Sequence, residues 1–382
     1  MNTTIDLDAN ATTRLDPDVL ADMARALAEY PGNASSNNSM GAEARNLTEQ
    51  ARKDVANLIG AHADEIIFVP SATAAINLAI RGFVLALPEK STARILSSPV
   101  EHAAVMRTVG SLHYEGLARV TPLRVSSDGL VDVTYASELL KRKSAIMCLL
   151  HGNNEIGTIN PLSDIVSQAK AQGVAVFIDA SQTGGYSPPR VDELAIDMMC
   201  LSSHKMHGPF GAAALYLRRG IKIKPIMFGG EQENGLWPGT LNVPAIVGFG
   251  SASRMASREF TERSTLVTRL RDLLLDKLCA RIPDLRLNGH RTNRLPSNLN
   301  VTIPFLPADI LQRRLTGIAF STGSACAGGE ASHVLRAIGL STDEIHWTIR
   351  LGVSKFNTAN EIESAGIQIG AAARVLRGEG RA

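Results

Sequence analysis

The sequence predicts an α/β fold built on a mainly parallel sheet, and three observations predict it. Short runs built on consecutive apolar residues recur at 65–69, 94–98, 145–150, 174–178 and 212–217. Runs of that length without alternation read as strands covered on both faces, as parallel strands are. Stretches at helical spacing lie between and beyond them, such as Ala44, Leu47, Ala51, Val55 and Leu58. Finally, the runs end in residues of one kind: His, Asn, Asp and Gln. Ligands of open α/β sheets sit beyond the carboxyl ends of the strands, so these ends point to one shared site. Taken singly, each would also serve as a helix cap.

In chain order, residues 6–13 form a short polar segment, and 42–59 a helix. The strand at 65–69 ends in Pro70-Ser71-Ala72-Thr73, and an Ala/Ile/Leu run follows as a helix. A strand, a turn of small residues and a helix start aim free N–H groups and the helix dipole at one spot, which suits an anion. The strand at 94–98 leads into Pro99-Val100-Glu101-His102, and that at 145–150 into His151-Gly152-Asn153-Asn154-Glu155-Ile156-Gly157. The strand at 174–178 leads into Asp179-Ala180-Ser181-Gln182. Ile196, Met198, Met199 and Leu201 precede Ser202-Ser203-His204-Lys205-Met206-His207-Gly208, a turn follows, and 212–217 is apolar again. Lys205 therefore sits on a strand-to-strand connection among hydroxyls and imidazoles. A solvated lysine has no need of that setting, whereas one that works as a neutral amine or an imine does.

Further on, 228–235 is a glycine-rich loop closed by Gly239-Thr240. From about Arg258, Leu266, Leu270, Leu273, Leu274 and Leu278 mark a long helix, and the change of domain is placed near its start. A strand at 298–303 precedes the small-residue stretch 321–329, which carries Cys326. Capping boxes at Ser341/Glu344 and Thr358/Glu361 open the last helices.

A chain of 382 residues accommodates roughly two domains. Its charge of +2 gives no reason to expect nucleic acid or an anionic membrane surface. A polar beginning and the lack of a long apolar run argue for the cytoplasm. The cysteines lack metal-ligand spacing, so no metal site is expected. Cys148, Cys200 and Cys279 read as small core residues. Cys326 lies among Gly, Ala and Ser, which leave its sulfur accessible. A thiol with a pKa near 8.5 is only a few per cent thiolate at neutral pH, so reactivity there needs a nearby cation or proton acceptor.

An anion site at Thr73 and an imine-forming Lys205 together suit pyridoxal 5'-phosphate. That cofactor also needs a carboxylate at its ring nitrogen, which Asp179 can supply. Such a charge-assisted bond contributes roughly 1.5–3 kcal/mol. His102 is a candidate to stack on the ring. Gln182 and Asn154 can donate to its phenolate oxygen or to a substrate carboxylate, and Ser202 and His204 can complete a phosphate cage.

With these residues in place, the chain resembles the cysteine desulfurases that supply sulfur for iron–sulfur clusters, within the class V aminotransferase family of fold-type I pyridoxal-phosphate enzymes. DANATT, EHAAV, NNEIGT, IDASQ, SSHKMHGP, GTLNVP, STGSAC, SHVLRAIG and TIRLGVS carry the resemblance over nearly the whole chain. It implies a large domain at 15–257 with a mainly parallel seven-stranded sheet flanked by helices. A smaller α+β domain would be formed by 1–14 and 258–382 and would carry the Cys326 loop. Lys205 would hold the cofactor covalently and shuttle protons, His102 would stack, Asp179 would pair with the ring nitrogen and Gln182 would meet the phenolate side. Ala72, Thr73, Ser202 and His204 would bind phosphate, with Thr240 reaching in from the second subunit of a homodimer. Asn154 and Arg350 would hold the carboxylate of L-cysteine. Cys326 would take the substrate sulfur as a persulfide, leave alanine, and pass the sulfur to an acceptor protein serving iron–sulfur clusters, tRNA or DNA modification.

The chain departs from the family pattern at Ala74 in the phosphate turn, at Trp237 and Lys355 where arginines are usual, and at Ala331 in place of proline. The segment from Cys326 to Ser332 is also shorter than in scaffold-serving members, so it is expected to swing less. A selenocysteine lyase, an aminotransferase of the same fold, or a non-catalytic scaffold are the alternatives. A Cys326→Ser variant separates the first reading from a plain aminotransferase, which would keep its turnover.

Overall fold

The computed structural model describes residues 4–88, 93–323 and 331–378. Its strands are β1 (Ile5–Asp6), β2 (Ile66–Val69), β3 (Ala93–Ser97), β4 (Ala118–Pro122), β5 (Ile146–Leu150), β6 (Ala175–Asp179), β7 (Met198–Ser202), β8 (Ala213–Leu217), β9 (Arg286–Leu287), β10 (Asn298–Thr302), β11 (Ile318–Ala319), β12 (Ser321–Thr322) and β13 (Thr348–Gly352). Its helices are α1 (Pro17–Glu29), α2 (Ser39–Ile59), α3 (Ala72–Ala86), α4 (Ala103–Tyr114), α5 (Val133–Leu140), α6 (Leu162–Ala171), α7 (Val191–Leu194), α8 (Val243–Cys279), α9 (Ala308–Arg314), α10 (His333–Ala337), α11 (Thr342–His346) and α12 (Ala359–Leu376).

Seven strands form one sheet in the order β2-β8-β7-β6-β5-β3-β4. From β4 to β7 every neighbour is parallel, and β8 alone runs against both β7 and β2. This is the mainly parallel seven-stranded sheet expected. Every residue of β5, β6 and β7 is buried, which explains their unbroken apolar runs. Alternate side chains serve opposite layers. Met147, Leu149, Val176 and Ile178 pack with α2, α5, α6 and the first half of α8. Ile146, Cys148, Phe177 and Cys200 pack against α3 and α4. Cys148 and Cys200 are core residues as expected, but Cys279 is exposed: it ends α8 beside the buried Leu278, on the face turned to solvent.

A second, antiparallel sheet runs β12-β13-β10-β9, and β1 pairs in parallel with β11. Its core draws on β10, β13, α12 and the second half of α8. The long helix expected from about 258 thus begins fifteen residues earlier, at Val243, capped by the Asn242 side chain. Its first half escaped the apolar pattern because it buries small residues. A Cβ added at Gly250 would lie 2.5 Å from the Cα of Ala51, so α2 and α8 meet backbone to backbone. Both capping boxes form where expected, at Ser341/Glu344 and Thr358/Glu361.

Because β2, β3, β5, β6 and β7 run the same way, their carboxyl ends share one sheet edge. The turns at Ser71, His102, Asn154, Asp179 and Lys205 follow from that edge. Among the described residues no helix is long and apolar enough to cross a membrane.

Candidate active site

The anion end of the site is the start of the fifteen-residue α3. Ser71 caps it from an extended backbone, its Oγ accepting the Ala74 N–H at 3.2 Å. The N–H groups of the first turn then face the sheet edge with the positive end of the helix dipole. Ala72, Thr73, Ser202 and His204 line the same pocket. His204 is fixed by a 3.1 Å contact of Nδ1 with the Thr12 hydroxyl and by stacking on Phe210, ring centroids 5.3 Å apart. Burial, and then the charge of Lys205, push its pKa down to about 4, so a neutral imidazole faces the pocket.

Asp179 is the last residue of β6 and is 2% exposed. Its Oδ1 accepts the Ser181 N–H at 3.0 Å and the Cys200 thiol at 3.3 Å. Burial, with the Asp179 charge behind it, holds that thiol well above its ordinary pKa. His102 caps α4, its Nδ1 accepting the Ala104 N–H at 3.1 Å, so that nitrogen carries no proton. Gln182 donates Nε2–H to the Asn10 carbonyl at 3.0 Å and accepts from Asn10 Nδ2 at 3.3 Å.

Lys205 Nζ donates to the carbonyls of Asn10 at 2.6 Å and Ala11 at 2.7 Å. The N-terminal polar segment is laced along this loop. Thr13 donates its N–H and its Oγ–H to the His204 carbonyl, both at 2.9 Å. Its Oγ1 accepts the His207 N–H at 2.7 Å, and these bonds hold His207 in the left-handed region at φ 67°.

Ala72, Thr73, His102, Asn154, Asp179, Gln182, Ser202, His204 and Lys205 line one pocket of about 240 Å³. An adjoining pocket of about 270 Å³ shares Asn154 and Lys205 and contains Arg350. Arg350 lies on β13, paired with Asn300 and Ser321. It donates Nη2–H to Asp8 Oδ1 at 3.1 Å and Ser321 Oγ at 2.9 Å, and Nη1–H to the Asn154 carbonyl at 3.2 Å. Its Nε is buried and has no partner among the described residues. An unsatisfied buried donor costs about 1–3 kcal/mol, so a ligand carboxylate that accepts from it would relieve that penalty.

The family model for aminotransferase class-V matches residues 5–364. The chain belongs to that family. A cysteine desulfurase of Nostoc sp. is 39% identical over 361 residues, spanning 94% of this chain and 90% of its own length. A solved NifS-like protein superposes with a TM-score of 0.91 at 32% identity, covering 98% of this chain and all of its own. SspA, solved in complex with cysteine, superposes at 0.81 with 31% identity, covering 93% of this chain and all of its own.

Within this class V aminotransferase fold, one expected site residue lines a different pocket and one is not described. Thr240 lies on a different pocket of about 240 Å³, with Trp237, Pro70 and Phe68. Cys326 lies outside the described residues. Sequence reasoning missed the second ring of the site, namely Asp8, Asn10 and Ala11. Their signal was the DANATT motif in a polar, aperiodic run before the first helix, and nothing in it named partners 195 positions away.

Proposed function

We propose that the chain is a cysteine desulfurase that takes sulfur from L-cysteine with pyridoxal 5'-phosphate, releases L-alanine and leaves a persulfide on Cys326. The observation that carries this is the convergence of Lys205, Asp179 and the start of α3 on one pocket, with Arg350 in the next. That donor set fits the cofactor. Ala72, Thr73, Ser202 and His204 would hold its phosphate, Asp179 its ring nitrogen, Gln182 its phenolate side and His102 its face. When bound, it supplies a carbonyl that condenses with amines and a ring that stores an electron pair.

The chain's own groups would do the rest. Arg350 and Asn154 orient the substrate carboxylate, and the planar guanidinium suits that task. Lys205 Nζ borders both pockets and would move a proton between them. At Cys326 the substrate C–S bond breaks, an S–S bond forms, and the carbon takes a proton. L-cysteine and one thiol thus become L-alanine and one persulfide with no outside oxidant.

Two units follow from the same reading, 15–257 and 1–14 with 258–382. Their support is that α8 changes cores along its length: Ala245 to Ala256 pack on the large sheet, Val267 to Leu278 on the small one. A homodimer to which Thr240 contributes, a protein acceptor for the sulfur and a cytoplasmic setting complete the proposal. The test is alanine and sulfide release from L-cysteine by the wild-type chain and by Cys326→Ser. Equal turnover by the two would overturn it.

A further inference from the structure

Helix α10 begins just after the segment that carries Cys326, and it is fixed to both walls of the pocket. Ser332 caps α10 by accepting the Leu335 N–H at 3.1 Å, and it gives its own hydroxyl hydrogen to Glu155 Oε2. The next residue, His333, has Nε2 at 2.9 Å from the Glu101 carbonyl. A carbonyl only accepts, so Nε2 carries the proton and donates. Glu101 directly precedes His102, and Glu155 directly follows Asn154. An apolar cluster spans the same junction, with Val334, Leu335 and Ile338 packed on Val100 and Ile156. On the other flank, Gly323 donates its N–H to the Thr348 carbonyl at 2.8 Å. Ser332 N–H donates to the Gly323 carbonyl at 3.3 Å, which ties the two flanks of 324–330 together. Gly323 itself lines the pocket that contains Arg350 and Lys205.

We propose that Glu155, Ser332 and His333 are positioning residues for sulfur transfer. Their bonds hold Ser332 and His333, which follow the Cys326 segment, on the walls that carry Asn154 and His102, and the Ser332 N–H also holds Gly323, which precedes it. Neither Glu155 nor His333 is asked to touch the reacting atoms. This rests on the desulfurase reading and adds to it the residues that set where the thiol is delivered.

The test compares the holoenzyme with Glu155→Ala, His333→Ala and Glu155→Gln by three readouts. Hydrogen exchange over 332–338 reads the docking of α10. The absorbance change of the bound cofactor reads L-cysteine affinity. The mass of the Cys326 peptide, sampled within one turnover, reads sulfur transfer. Both alanine variants should speed exchange about tenfold. They should also slow transfer about tenfold, while the dissociation constant for L-cysteine stays within about twofold. Glu155→Gln should restore most of the transfer, because its side-chain oxygen still accepts the Ser332 hydroxyl. Unchanged exchange, faster exchange with undiminished transfer, or equal losses of binding and transfer would each overturn the proposal. A wild-type enzyme that binds L-cysteine but puts no sulfur on Cys326 would refute the activity reading instead, and the exchange measurement would still decide whether these bonds dock the helix.

Discussion

Replacing Glu101 with glutamine should stabilise the protein, and the gain should grow with pH. Glu101 is fully buried, its Oε1 accepts the Ser98 hydroxyl at 2.6 Å, and its Oε2 has no partner among the described residues. Burial raises its pKa from the ordinary 4.5 to about 8; the Ser98 bond opposes that rise and the charge of Asp179 adds to it. The folded chain therefore keeps this proton up to about pH 8, whereas the unfolded chain releases it near 4.5. Below about pH 4.5 the group adds no pH dependence. Between the two values it removes roughly 1.4 kcal/mol of stability per pH unit, and above the folded pKa the loss is constant. At pH 7 the span is 7 minus 4.5, so the loss is on the order of 3 kcal/mol. Glutamine does not titrate, so any constant effect of its amide is the same at every pH. Urea unfolding of both proteins at several values between about pH 5 and about pH 8 gives the difference directly. It should rise by on the order of 3 kcal/mol toward the alkaline end. A flat difference would mean that the carboxyl titrates alike in both states, and the reasoning from burial would fail.

Lys205→Ala should lose at least about a thousandfold in L-cysteine turnover, and borohydride should no longer fix the cofactor to the chain. Arg350→Met should raise KM for L-cysteine roughly 10–100-fold with a smaller change in kcat, since the equivalent of one charge-assisted bond of about 1.5–3 kcal/mol is lost from binding. Arg52→Met should destabilise the chain by about 3–5 kcal/mol in urea titrations, because it strands a buried charge. Arg52 meets both oxygens of Glu233 at 2.7 and 2.8 Å, and Glu233 is held at φ 50° in the loop that leads to Trp237 and Thr240.

What was legible in the sequence was whatever the chain writes locally. The buried strands β5, β6 and β7 declared themselves because helices on both faces leave no room for polar residues. The strand ends declared the site because His102, Asn154, Asp179 and Lys205 each follow such a run. Strand order was not written there: the family resemblance implied seven mainly parallel strands, and only the structure gives their order. Neither was the first half of α8, whose Gly248, Gly250 and Ser251 allow close packing without an apolar stripe. Cys279 misled because a helical period does not say which face an end residue takes. The supports of the site were hidden for another reason. Asp8, Asn10, Glu155 and Ser332 act through bonds that join distant segments, as Ser332 does to Glu155 across 177 positions. Such bonds depend on how the two cores are set together, which no local pattern records.

On the proposed reading, sulfur leaves L-cysteine and lands on Cys326 at the pocket of Lys205. The most direct measurement mixes the holoenzyme with one equivalent of L-cysteine without air, quenches it within a turnover, and weighs the Cys326 peptide while counting the alanine formed. One added sulfur atom on that peptide for each alanine is the result expected. Alanine formed without sulfur on Cys326, or formed just as fast by Cys326→Ser, would contradict it.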